Sequence, residues 1–592
     1  MGTVTTRVAG LLILCSLPWL LLVSAQAWEP NANDLDAAVN TGAFGAYYAN
    51  ISSWLNQRLP PTLNEASLAE LLKDPLFLAT LHQRQLISKT GAEKLGAFAK
   101  ADPANQTFLK WLLANTNAME LYLEGAVPIG LAAREANTYK LDTAALEIWK
   151  RILNADPDAK DGIYLRLAVA TAIAPPGSVN IGAGGAKTPA DPVDRYKYFK
   201  TAHKNKELFP SFDHLTVWEY TKIVSSGASD SDLTWAREMV NTFRPDLRAD
   251  EMVVNSTSLV WRRGAPAPFW KEGVGYDGTF KNVLAGGGKC GPRSSWSVMV
   301  CQAFGIPAIG VGQPAHACVA YKAANPMTQP QPGSAWKVGF GRGWEVSKLE
   351  GLSGPDFLAG IEKRSDLAKF SQVEHLRWLV GALAAGDKAA AVMNIAHEIN
   401  DSITAPKTDL SASLKPDEAE ADPGVKAAAK TGPAKTTAAG ASAAPPAEPI
   451  KAAAGVIHVE AASFAKTGGE ISWGGQLPHV LVHDCATGGK QVYFQQQMKR
   501  QWADYSIDVP ATGTYELTMK AACINSEQVL EVSSGDRKLA KVDIPLSYGL
   551  WTVTKPVDVK LEKGVQTVRV ETPTTEHKRG IALRWFELKP KE

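Results

Sequence analysis

The chain has 592 residues, 45% of them hydrophobic and 21% charged, and a formal net charge of +2. That length is too great for one hydrophobic core, so several domains are expected. The near-zero charge excludes the strong field that nucleic acid or an anionic membrane surface would need, and no nucleic-acid motif or Gly-rich phosphate loop is present.

The N-terminus reads as an export signal over residues 1–27. Arg7 precedes an uncharged apolar run from Val8 to Val23, and Ser24-Ala-Gln-Ala27 then offers a small-residue cleavage site. No later segment is apolar enough to span a bilayer, so no membrane span is expected after signal removal. The expected location is secreted, periplasmic or cell surface. Without Cys15, five cysteines remain, an odd count that points to one free thiol. Cys485 with Cys523, and Cys301 with Cys318, are the candidate disulfide pairs, which leaves Cys290 over.

Residues 28–260 read as a helical domain. Residues 145–153 have helical periodicity and end in an Asn-Ala-Asp-Pro stop, and 141–173 suggest one helical hairpin of tetratricopeptide type. Residues 178–191 are rich in Gly and Pro and read as a loop. Residues 261–402 form a second unit with trailing helices. Residues 403–455 are an Ala/Pro/Lys-rich tract without aromatics, expected to be a disordered linker. Residues 456–592 alternate polar and apolar residues between turn signals, the pattern of a β-sandwich.

The most informative stretch runs from Gly286 to Tyr321. A Gly triplet leads into Cys290 at the start of a helix, Gly305 and Pro307 end that helix, and His316 heads a strand with Cys318 on the same face. A helix N-terminus lowers a thiol pKa and an imidazole can take its proton, so this order suits a cysteine nucleophile. Zinc-spaced cysteine pairs and an H-E-x-x-H helix are both missing, so no metal ligand and no cofactor are assigned.

Gly288-Lys-Cys290-Gly, Phe304-Gly-Ile-Pro-Ala308 and His316-Ala-Cys-Val resemble the motifs of the transglutaminase-like branch of the papain-like cysteine enzymes. The resemblance covers residues 265 to 350. It implies an α+β fold with a helix on an antiparallel sheet, a Cys290 nucleophile, a His316 base, and acyl transfer from an amide of a peptide or protein substrate. In that family an acid about four residues after a tryptophan orients the histidine. Counting from Trp336 gives Phe340 and counting from Trp344 gives Lys348, so the nearby Glu345 is taken as the candidate acid.

Residues 456–590 resemble carbohydrate-binding modules of families 6 and 35, galactose-binding-like all-β jelly rolls. The matching segments are Val459-Glu-Ala, Trp502 to Pro510, Gly513-Thr-Tyr515, Leu546 to Trp551 and Ile581 to Phe586. The resemblance implies a polysaccharide or glycan partner stacked on Tyr493 and Trp551, with Trp502, Tyr505 and Trp585 in the core. Two functions are therefore carried forward. One is an exported transglutaminase-like cysteine enzyme tethered to polysaccharide. The other is a non-catalytic surface binding or scaffold protein.

Overall fold

The computed structural model describes residues 28–178, 188–260, 279–323, 336–404, 448–469, 480–495, 500–573 and 580–591. The export signal, most of the Gly/Pro-rich loop and the linker over 405–447 lie outside the described residues.

Helices follow one another from Ala32–Thr41 to Asp230–Phe243. Many begin at Asp-Pro steps. Asp74, Asp102 and Asp191 each accept from an amide of the first turn, and the following proline occupies the first helical position. The expected hairpin is present as helices Thr143–Ala155 and Gly162–Ile173 around a 3₁₀ turn, Pro157–Lys160, capped by Asp156.

The second unit is built on the helix Cys290–Ala303, buried from Arg293 onward. It lies on a five-stranded antiparallel sheet, ordered Trp336–Gly339, His316–Lys322, Ala308–Gln313, Lys348–Leu349, Leu352–Ser353. Ser294 Oγ donates to the Cys318 carbonyl at 2.5 Å, and Gln302 Nε2 to that of Ala308 at 3.3 Å. On its other side the helix meets Asp230–Phe243, where Trp296 packs edge-on against Trp235 with centroids 5.7 Å apart. Trp296 Nε1 also donates to Ser256 Oγ.

The trailing helices turn back to the N-terminal ones. Glu374 of Leu367–Val380 binds Arg134 Nε at 2.6 Å with both side chains buried, and Arg364 donates to the Val127 carbonyl. They extend the first helical body.

The C-terminal region is a sandwich of a seven-stranded and a six-stranded sheet. Strands Gln501–Val509 and Gly513–Ala522 alternate between core and surface, as their sequences require. Its first strand is Ile450–Lys451, which pairs parallel with Ile507 and Asp508, so the ordered unit starts inside the stretch read as linker. Tyr505 is fully buried and donates to the Ala461 carbonyl. Trp502 and Trp585 are only half-buried: Trp502 lies under the Arg569 guanidinium, 3.9 Å from its ring centroid, and Trp585 beside His458. All five cysteines in the described residues are free thiols, so the two expected disulfides are absent. Cys485 instead donates to Gln491 Oε1, and Cys523 to the carbonyls of Ser526 and Pro545.

Two glycines shape the approach to Cys290. Gly287 is left-handed (φ 73°), and a Cβ on Gly288 would stand 2.6 Å from Pro292 Cβ in the first turn of the helix. Gly288→Ala is expected to cost about 1–3 kcal/mol by forcing that turn outward. It should also slow alkylation of Cys290 relative to the wild type, read by mass spectrometry of the labelled thiol. Unchanged stability and labelling would show that the turn yields freely.

Candidate functional site

Cys290 is the first residue of its helix and is half-buried; the other four described cysteines are buried. The first helical bond at this end runs from the Arg293 amide to the Lys289 carbonyl. Pro292 has no N–H, so the amides of Cys290 and Gly291 precede the helical bonds and stand at the positive end of the dipole. An oxyanion formed at this mouth would meet those two amides.

His316 enters from the neighbouring strand. A two-residue turn, Pro314-Ala315, joins it to Gln313, with which it is in register. The imidazole is buried, and its Nε2 lies 3.0 Å from the backbone carbonyl of Phe340. A carbonyl only accepts, so Nε2 carries the proton and Nδ1 is the basic nitrogen. Phe340 is the position four residues after Trp336. The orienting contact is made there by the main chain, although the side chain is apolar. Ala315 (φ 53°) and Phe340 (φ 43°) both adopt left-handed backbone, so both residues that aim the ring carry strain of about 1–3 kcal/mol each.

Phe340 also links the two halves of the site. Its ring meets His316 edge-on at 6.3 Å, and the Arg293 guanidinium of the cysteine helix sits over it at 5.9 Å. Burial pushes the Cys318 thiol up to about 12, with nearby Cys290 adding to the shift, so Cys318 remains protonated beside the candidate nucleophile. Glu345 is exposed on the turn after Trp344, and no hydrogen bond or ion pair to it occurs among the described residues. The cysteine helix and the His316 strand are thus linked through Phe340, and the histidine contact expected of Glu345 is made by the Phe340 carbonyl. A main-chain acceptor leaves no residue-type signal, which is why sequence reasoning missed it.

The sandwich residues meet a different fate. Tyr493 is only 6% exposed because the helical body covers it. Phe243 packs edge-on against its ring at 5.4 Å, and Arg244 lies over it at 5.2 Å. Around this contact, Gln491 Nε2 donates to the Thr242 carbonyl at 2.7 Å and Trp235 Nε1 to that of Tyr548 at 3.1 Å. Gly549 (φ 82°) lies so close to Met239 that a Cβ would meet its Cγ at 2.4 Å. Trp551 is half-buried against the cluster that joins Tyr493 and Ile524 of the sandwich to the helical residues. Of the two candidate stacking residues, Tyr493 therefore forms part of an interdomain contact in this structure.

No protein-family model matches the chain, and no curated protein matches it. Solved structures are similar to its C-terminal region. One is the C-terminal family 6 carbohydrate-binding module of LamC, a marine laminarinase from Zobellia galactanivorans, 16% identical over 23% of this chain and 98% of that one, TM-score 0.18. Another is a family 6 module of lichenase 5A from Cellvibrio mixtus in complex with cellotriose, 17% identical over 23% and 97%, TM-score 0.19. A family 35 module from Clostridium thermocellum is 10% identical over 23% and 98%, TM-score 0.19. At those scores the sandwich assignment rests on the strand pairing above. No helix among the described residues is long and apolar enough to cross a membrane.

The interdomain contact carries ionisable groups. Arg244 binds Asp246 through both nitrogens, at 2.7 and 2.6 Å, and His483 Nε2 lies 3.6 Å from the same carboxylate. Burial alone would push Asp246 up, but the Arg244 guanidinium holds it below the usual carboxylate range. Burial lowers His483 below its ordinary 6.5, against the pull of Asp246. The closed contact therefore favours neutral His483. Its contribution is complete above pH 6.5 and is lost as pH falls through the lower bound-state value, while that of Asp246 persists to more acid pH. The radius of gyration from small-angle scattering should rise between pH 7 and about 5, and His483→Gln should flatten that rise. A radius independent of pH, or an equal rise in the variant, would refute this.

Proposed function

We propose that the chain is an exported transglutaminase-like cysteine enzyme acting on amide bonds of peptides or proteins, carrying a carbohydrate-binding module for a polysaccharide surface. The observation that carries the reading is Cys290 at a helix N-terminus, with that helix linked through Arg293 and Phe340 to a histidine whose Nε2 is held by a carbonyl. In this mechanism His316 Nδ1 takes the Cys290 proton and the thiolate attacks the amide carbon. The amides of Cys290 and Gly291 stabilise the oxyanion. The C–N bond breaks as His316 returns the proton to the leaving amine, and water or a second amine then takes the acyl group from the thioester. The order of motifs from Gly288 to Val319 and the helix-on-sheet arrangement support this class, and the sandwich pattern supports the glycan partner.

The test is release of amine or ammonia from a panel of glutamine-containing and cell-wall peptides, with acyl-enzyme trapping. Cys290→Ala should remove turnover entirely, and His316→Gln should lower it by about 100-fold or more, both without change in melting temperature. Turnover retained in Cys290→Ala would end the cysteine mechanism.

The second reading, a non-catalytic binding protein, is favoured by one observation: His316 Nε2 is held by a main-chain carbonyl, that of Phe340 at 3.0 Å. In either reading sugar binding at Tyr493 requires the domains to part. Arg244→Ala, which loosens the contact from the helical side, should increase retention on an insoluble β-glucan severalfold. Trp551→Ala in that background should remove the gain. Equal retention in all three proteins would place any sugar site elsewhere.

A further inference from the structure

A second cluster of reactive side chains lies in the helical body, in elements that contribute no residue to the cysteine site. Helix Thr116–Gly125 carries Glu120 and Glu124 one turn apart, hence on one face. His375 projects from Leu367–Val380 and His82 from Pro75–Thr90. One ligand atom from each of Glu120, Glu124 and His375 lies within 4.8 Å of the others. His375 Nε2 stands 3.8 Å from Glu120 Oε1 and 3.0 Å from His82 Nε2. Both imidazoles are buried against Trp378, at 5.4 and 5.1 Å.

We propose that His82, Glu120, Glu124 and His375 form a binding site for one divalent transition-metal ion of the zinc class. Two imidazole nitrogens and two carboxylates are the donor set such ions take, with bonds of about 2.0–2.2 Å and neighbouring donors about 3–4 Å apart. The two Nε2 atoms already converge at that spacing, and each could turn its lone pair to a shared ion.

An unpartnered group points the same way. One carboxylate oxygen of Glu124 is buried without a hydrogen bond. A divalent cation would balance the two carboxylates that the fold places together here. The cations nearby are committed elsewhere. Arg134 holds Glu374, and Arg364 holds the Val127 carbonyl and lies over Phe370 at 4.5 Å. Glu120 keeps its side chain 29% exposed, which leaves a way in from solvent.

The test uses the full chain in a Cys290→Ser background, so that metal on the accessible thiol is not counted. After chelator treatment, Co2+ should bind at one equivalent with a d–d absorption spectrum free of thiolate charge transfer, and Zn2+ should displace it. Saturating Zn2+ should raise the melting temperature by about 3 °C or more. Glu120→Gln with Glu124→Gln keeps side-chain volume and should weaken Co2+ by more than about 100-fold, without lowering the metal-free melting temperature. His375→Gln should do the same to Co2+. Absence of a Co2+ spectrum at millimolar metal, or equal binding by wild type and the double glutamine variant, would overturn the assignment.

Discussion

The helix Cys290–Ala303 is buried from Arg293 to its end, and a helix with no solvent face must be enclosed on every side. One side is closed by the strands Ala308–Gln313 and His316–Lys322, the other by Asp230–Phe243 through the Trp235–Trp296 contact. Only the N-terminal turn reaches the surface, and Cys290 stands there. Enclosure thus delivers a thiol to an open helix mouth and sets the strand with His316 beside it. Asp230–Phe243 also holds the sandwich, through Trp235, Met239 and Phe243. A single helix therefore separates the candidate nucleophile from the docked module, and both contacts depend on the same packing.

The Phe340 carbonyl on His316 divides the two tasks usually given to an orienting acid. It fixes tautomer and ring angle, since it accepts a hydrogen bond from Nε2 at 3.0 Å. It carries no full charge, so it stabilises an imidazolium less than a carboxylate would. A thiol tolerates this better than an alcohol, because a helix terminus already favours thiolate and less basicity is asked of the histidine. The left-handed backbone at Ala315 and Phe340 is the cost of aiming the ring from a short hairpin and a turn.

Much of this was legible in the sequence where local rules decide. The Asn-Ala-Asp-Pro stop marked the end of a helix in the hairpin, alternation marked the sandwich strands, and the Gly-Ile-Pro-Ala turn marked the end of the cysteine helix. What was not legible depends on atoms or neighbours without a local pattern. Main-chain orientation of His316 cannot be read from a phenylalanine. Tyr493 carries the alternation of a strand, but its exposure is set by Phe243 and Arg244, far away in sequence. His82 and His375 are 293 residues apart, and only the fold of the trailing helices back onto the N-terminal ones joins them. The expected disulfides failed for a similar reason, since pairing by domain and parity ignores that Cys485 and Cys523 each have their own acceptors.

In the proposed function, docking and glycan binding would compete for one aromatic face. Tyr493 cannot stack on a sugar and on Phe243 together, so a glycan at that face binds only the open form. Its apparent dissociation constant is the intrinsic one divided by the open fraction. If the docked form is favoured by about 2.7 kcal/mol, affinity falls about 100-fold. The contact is built from the Arg244 guanidinium over Tyr493, two side-chain-to-backbone hydrogen bonds and one aromatic pair, a polar composition typical of domain interfaces that open. Because both bodies belong to one chain, docking faces no concentration limit, and whatever shifts it acts directly on the glycan affinity. Burial of neutral His483 beside Asp246 makes proton concentration one such influence, and a dense polysaccharide surface another, by mass action on the open form.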